Sequence, residues 1–194
     1  MEMSSRSLVI PPEANLPQRH PDAPKPGQSV PSHYNQCFGC GIDHPTGLHM
    51  VVTAGHDLTV SAEFEVTAHH QGAPGIAHGG LLSLAFDEAL GATNWLLRVS
   101  AVTAHLQVSY RAPVPVGSRV FISAKIDGMQ RRKIWSSAIG RLETPDGLLA
   151  VEAAALFIAV DVEHFKKHGR AVDIEQASLD PSVRNHLRNL DIAP

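Results

Sequence analysis

With 194 residues the chain is long enough for one domain with appendages and short for two. Its 43% hydrophobic content supplies one core, and a net charge of −3 excludes the basic footprint that nucleic-acid binding needs. Two cysteines exclude a disulfide framework, and the longest apolar stretch is broken by His78, Asp87, Glu88 and Asn94, which excludes a membrane span.

The first residues run into Pro11-Pro12-Glu13 without an apolar run and with little Arg. Neither a secretory leader nor a transit peptide is expected, and the expected location is cytoplasmic. Residues 1–32 hold Pro11, Pro12, Pro17, Pro21, Pro24, Pro26 and Pro31 and few large apolar side chains. They form an extended or disordered arm, too poor in apolar mass to fold alone, with docking on the body as its one route to order.

Cys37-Phe38-Gly39-Cys40-Gly41 and Pro45-Thr46-Gly47-Leu48 follow. Cys37 and Cys40 have metal-ligand spacing, and His33, His44 and His49 are near in sequence. Structural zinc sites usually bring a second ligand pair at a longer spacing, and the sequence shows none. The expectation is a glycine-rich turn with two buried thiols and no metal.

A short strand is expected over 48–53. Residues 58–66 alternate, with Leu58, Val60, Ala62, Phe64 and Val66 on one face. A polar turn-rich segment, 67–72, leads into the stretch that organises the chain. There Pro74-Gly75-Ile76-Ala77-His78-Gly79-Gly80 is turn chemistry, and from Leu81 to Gly91 a run rich in Leu, Ala and Phe predicts a helix apolar on nearly every face. Beyond it, 101–111 alternates again, with Val102, Ala104, Leu106, Val108 and Tyr110 on one face and Thr103, His105, Gln107, Ser109 and Arg111 on the other. Strands are expected over 119–126, 133–142 and 148–160, with Asp127-Gly128 and Asp146-Gly147 as hairpin turns. Sequential antiparallel strands with one apolar helix give an α+β domain whose sheet curls around that helix. A short polar helix is expected over 180–190.

His78 and Asp87 are nine residues apart. On one helix they face opposite ways, about 13 Å apart along the axis, so they do not share a site within one chain. A shared site needs the helix mouth of one chain and Asp87 of another, which predicts a two-fold dimer with two equivalent sites.

The His78-Gly79-Gly80 motif with Asp87 on the helix, the Cys37-x-x-Cys40 and Pro45-x-Gly47-Leu48 segments, and Tyr110-Arg111-x-Pro113-x-Pro115-x-Gly117 together resemble the hotdog-fold acyl-CoA thioesterases of the phenylacetate-degradation (PaaI-type) branch. The resemblance covers residues 33–160, leaving 1–32 as an arm and 161–194 as a C-terminal extension. It implies a hotdog fold and hydrolysis of a CoA thioester to a free acid and CoA. Coenzyme A enters as part of the substrate, with no cofactor and no metal. The assembly would be a homodimer or a dimer of dimers, with no nucleic-acid partner and no membrane span expected.

In such enzymes the amide at the Gly79 position points at the thioester carbonyl, which suits the positive end of a helix. Glycines at 79 and 80 let a substrate approach the backbone. Asp87 is the candidate base or nucleophile, and Thr103 matches a Thr or Ser that orients water or the aspartate. His78 would orient the loop or help hold the carbonyl. Some relatives carry Asn or Gln six residues before the motif histidine, where this chain has Gly72. Gln71 is adjacent, but the resemblance does not carry that role to it. Arg131, Arg132, Lys133 and Arg111 are candidates for a basic rim around the CoA phosphates. Two further readings are a hotdog dehydratase or hydratase on acyl thioesters and a non-catalytic acyl-CoA-binding protein.

Overall fold

Period-two stretches become strands and the apolar run becomes a helix, as their patterns dictate. The computed structural model describes residues 8–179. Its strands are β1 (Val51–Ala54), β2 (Thr59–Glu65), β3 (Gln71–Ala73), β4 (Ile76–Ala77), β5 (Ala101–Tyr110), β6 (Arg119–Gln130), β7 (Lys133–Leu142) and β8 (Leu149–Ala159). Helix α1 (Gly79–Ala92) is followed by a 3₁₀ turn (Thr93–Leu96), and α2 (Val162–His168) and α3 (Ala171–Leu179) close the described chain. None of these helices is long and apolar enough to cross a membrane.

Six strands form one antiparallel sheet in the order β1-β2-β6-β7-β8-β5, and β3 pairs with β4 apart from it. Helix α1 touches β2, β5, β6, β7 and β8. One helix reaches that many neighbours only if the sheet curls around it, and the register shifts in β5, β6 and β7 are where twist and bend concentrate. This α+β architecture is the hotdog fold. Leu82, Ala85, Phe86, Ala89 and Leu90 of α1 are buried in the concave face. Phe86 is seated over Gly140 of β7, where an added Cβ would lie 2.5 Å from the ring.

The described part of the arm is laid along the body. Asn15 exchanges backbone hydrogen bonds with Met129, His20 donates to Leu96 O, and residues 27–30 pair with Val52 and Ala54. That last pairing covers the β1 edge, which would otherwise present unpaired backbone groups.

One hairpin expectation is corrected. Asp127-Gly128 is not a hairpin turn: β6 continues through it with a bulge to Gln130. The turn is Arg131-Arg132, with Arg131 at φ +53°. Gly128 serves another purpose, since a Cβ there would sit 3.3 Å from Ile10 of the arm. Two helices, α2 and α3, precede the segment 180–190, which lies outside the described residues. Asp161 caps α2 by accepting from His164 N–H at 3.0 Å.

The Phe86–Gly140 contact sets the seat of α1, and a double-mutant cycle measures it. Phe86→Ala is expected to cost about 3–5 kcal/mol and Gly140→Ala about 1–3 kcal/mol. The double variant should lose clearly less than the sum, because the smaller side chain frees the space the new methyl needs. Urea denaturation giving strictly additive losses would contradict this seating.

Candidate active site

The helix mouth is built by capping. His78 has extended backbone angles (φ −70°, ψ 129°), and its Nδ1 accepts from Gly80 N–H at 2.9 Å. Its carbonyl accepts from Leu81 and Leu82, and its own N–H goes to His70 O. The N–H of Gly79 donates to nothing among the described residues. It therefore points out of the positive end of α1 as an unspent donor. Gly80 N–H, by contrast, is consumed by the cap, so Gly80 offers a bare surface rather than a donor. His78 acts through the cap: it orients the mouth and takes up the competing amide.

Tyr110, which sequence reasoning placed only as a strand residue, locks this mouth. Its hydroxyl donates to Gly79 O at 2.7 Å and lies 2.6 Å from Ser83 Oγ. Gly72 lies against His78, where a Cβ would meet the His78 Cα at 2.7 Å. The Gln71 side chain braces the loop through Gly75 N–H and Ala68 O.

Further along α1, Asp87 is half-buried. Its Oδ1 accepts from Thr103 Oγ1 at 2.7 Å, and Oδ2 has no partner among the described residues. Burial raises the Asp87 carboxyl above its ordinary range, and the Thr103 hydrogen bond opposes that rise. Strict alternation placed Thr103 on the face away from Tyr110. A bulge at Ala104 in β5 inserts one residue, so Thr103 joins Leu106, Val108 and Tyr110 on the helix side. The sequence holds no glycine or proline there to announce it.

Asp87 and Gly79 line different cavities. Asp87 and Thr103 border one of about 770 Å³ with Val30, Met50, Trp95 and Phe157. Phe165 of α2 and Ile174 of α3 also line it, so the C-terminal helices help roof this space. Asn94 Oδ1, buried and without a hydrogen-bond donor among the described residues, belongs to its lining. Gly79, Tyr110 and Arg111 border a second, shallower space of about 340 Å³.

The basic residues do not form one rim within a chain. Arg111 is ion-paired with Glu152, near the start of β8. Arg131, Arg132 and Lys133 are exposed at the β6–β7 turn, and Arg132 Nε donates to Ala159 O, at the end of β8. From residue 152 to residue 159 is roughly 23 Å along a strand.

Glu88, the neighbour of Asp87 on α1, points away from it toward the cysteine loop. Cys37 Sγ lies 3.3 Å from Glu88 Oε2, His33 Nδ1 lies 3.8 Å from Glu88 Oε1, and Cys40 Sγ lies 3.4 Å from His33 Nδ1. Burial pushes the Glu88 carboxyl up to about 7. A hydrogen bond from the Cys40 thiol holds the Cys37 thiol far below its usual range. The expected turn with two thiols is thus a four-residue polar cluster.

Residues 74–136 match the family model of the thioesterase superfamily. Over 95 residues the chain is 36% identical to the acyl-coenzyme A thioesterase THEM4 of Xenopus laevis, covering 49% of this chain and 42% of that one. The chain spans about half the length of the curated relatives it matches. A crystal structure of a thioesterase superfamily protein superposes with a TM-score of 0.58 at 26% identity, over 71% of this chain and 70% of the other. A hypothetical thioesterase from Streptococcus pneumoniae, solved with coenzyme A, shares the fold at a TM-score of 0.53 and 17% identity, over 57% and 85% of the two chains. The sequence matches are to a thioesterase-superfamily model and to proteins named acyl-coenzyme A thioesterases, and the structural matches share the hotdog fold.

Thr103→Val removes the hydroxyl that favours the charged form of Asp87 while keeping the side chain's shape. The Asp87 pKa should then rise further, because burial remains and the opposing hydrogen bond is gone. Carbon-detected NMR titration of the aspartate carboxyl reads this directly. An unchanged or lowered value would mean that the hydrogen bond does not hold in solution.

Proposed function

We propose that this chain is an acyl-CoA thioesterase, hydrolysing a CoA thioester to a free acid and CoA at a site shared by two subunits. The observation that carries the reading is that α1 holds an unspent amide at Gly79 and a half-buried carboxylate at Asp87, each facing a different cavity. A thioester needs both: a donor where negative charge grows on the carbonyl oxygen, and a base or nucleophile at the carbonyl carbon. One chain cannot bring them together. Two chains related by a two-fold axis can, with the Gly79 mouth of one facing Asp87 of the other.

The roles follow from the geometry. Thr103 holds Oδ1 of Asp87, leaving Oδ2 to take a proton from water or to attack the carbon itself. The apolar cavity beside Asp87 receives the acyl group. Thiol CoA leaves, and water supplies the oxygen of the new carboxylate. The exposed Arg131-Arg132-Lys133 turn is the contact for the nucleotide phosphates, completed across the dimer by Arg111. THEM4 of Xenopus laevis is named as an acyl-coenzyme A thioesterase, and the streptococcal structure was solved with coenzyme A. Both favour this reading over a dehydratase.

A CoA-release assay across acyl-CoAs of graded length tests the reading. Asp87→Asn should lower kcat at least about 100-fold with the assembly still folded, and Thr103→Ala should cost less, because it acts through Asp87. Near-full activity in Asp87→Asn removes Asp87 from the chemistry. Binding of acyl-CoA without release on any member of the panel would favour the non-catalytic reading. Neutralising Arg131 and Lys133 should raise KM for CoA esters more than it lowers kcat, since phosphate contacts hold ground and transition states alike. A short thioester lacking the nucleotide should not respond to the change; equal losses on both substrates would give the turn a structural role.

A further inference from the structure

We propose that His33, Cys37, Cys40 and Glu88 form a structural zinc site that fastens the 33–41 loop to α1. The donor set is two thiol sulfurs, one imidazole and one carboxylate, and their ligand atoms all lie within 4.8 Å of one another. Zinc bonds of about 2.0–2.3 Å make a tetrahedron with edges of roughly 3.3–3.8 Å. The separations of 3.3 Å (Cys37–Glu88), 3.4 Å (Cys40–His33) and 3.8 Å (His33–Glu88) are edges of that size.

The surroundings of the cluster are built for it. Gly39 N–H donates to Cys37 Sγ at 3.3 Å, and Ser32 Oγ lies 3.2 Å from Cys40 Sγ, the kind of outer hydrogen bonding that orients thiolate ligands. Gly39 is required for the fourth donor to arrive: an added Cβ would lie 2.4 Å from Glu88 Oε2. Gly41 is as tightly confined, with a Cβ meeting Asn35 O at 2.3 Å. The other nearby histidines are used elsewhere. His44 Nδ1 accepts from Thr46 N–H, and His49 Nδ1 pairs with Gly41 O.

Charge gives the remaining argument. Two sulfurs and a carboxylate are gathered within 4.8 Å, with one imidazole beside them. Cys37 Sγ and Glu88 Oε2 at 3.3 Å require a proton or a cation between them. A divalent ion satisfies all three at once. Thiolate and imidazole ligands select zinc over magnesium or calcium, and four protein ligands leave no open position, so the ion is structural. His33, 46% exposed, forms the solvent side through which the ion enters.

The test uses the full chain, reduced and metal-free, titrated with cobalt(II) and then with zinc. One equivalent of cobalt should give a thiolate-to-cobalt charge-transfer band and the intense visible bands of a tetrahedral ion, and one equivalent of zinc should bleach both. Cys40→Ser and Glu88→Gln should each weaken cobalt binding at least about 100-fold, since outer-ligand changes alone cost 10–100-fold. Thr103→Val, outside the cluster, should bind as the parent does. If Cys40→Ser does not fold, the parent titration and Glu88→Gln decide the matter. The proposal is overturned if the reduced, folded parent shows no charge-transfer band. It is equally overturned if the band survives Glu88→Gln at parental affinity, or if Cys37 and Cys40 close to a disulfide by losing two hydrogens in air and take up no metal after reduction.

Discussion

The enclosure of α1 by the curled sheet constrains everything else in this molecule. Leu82, Ala85, Phe86, Ala89 and Leu90 of this helix are all buried, while its other side, with Leu84, Asp87, Glu88 and Gly91, is only partly covered. Polar groups on it are tolerated only where the sheet leaves an opening. Gly79 lies at the mouth beside the shallower cavity, and Asp87 and Glu88 both border the large one, Glu88 turned toward the cysteine loop. Phe86 on Gly140 sets the depth and rotation of the helix, so the same packing contact positions all three.

Adjacent carboxylates on one helix thereby acquire different chemistry. Asp87 receives one hydroxyl and keeps an oxygen open to a cavity, which suits a group that must meet a substrate. Glu88 is turned by 100° and lies against backbone and sulfur, which suits a group that must hold a loop. The loop in turn is anchored to the segment that leads into β1 through Leu48 N–H on Phe38 O and Met50 N–H on Gly39 O. Metal at that cluster would tie arm, loop and α1 into one unit beside Asp87.

Local pattern carried most of the fold. The alternation over 58–66 matches β2 closely, because its buried positions repeat every second residue, and the strands expected over 133–142 and 148–160 match β7 and β8 in extent. The glycine motif and the apolar run likewise marked α1. The failures arise where one residue changes meaning through a distant partner. Gly128 has turn chemistry, but its freedom from a side chain is spent on the approach of Ile10, more than a hundred positions earlier. Thr103 joins the helix face only because Ala104 bulges, and alanine carries no bulge signal. Tyr110 locks Gly79 through a hydroxyl whose partner is on another element. The fourth donor of the cysteine cluster comes from 51 residues beyond Cys37, on a helix whose period hides it.

The central claim is that Asp87 of one subunit works with the Gly79 amide of the other. Mixing two separately inactive chains measures this most directly. Gly79→Pro deletes the amide at the first helical position, where proline fits and where the ψ of 129° at His78 accepts it. Asp87→Asn removes the carboxylate. After verified subunit exchange, each mixed dimer should hold one site with both groups intact and one with neither. CoA release should then return, up to half the parental rate per mixed dimer. Confirmed exchange with no recovered activity would contradict the shared site and require amide and carboxylate to act within one chain.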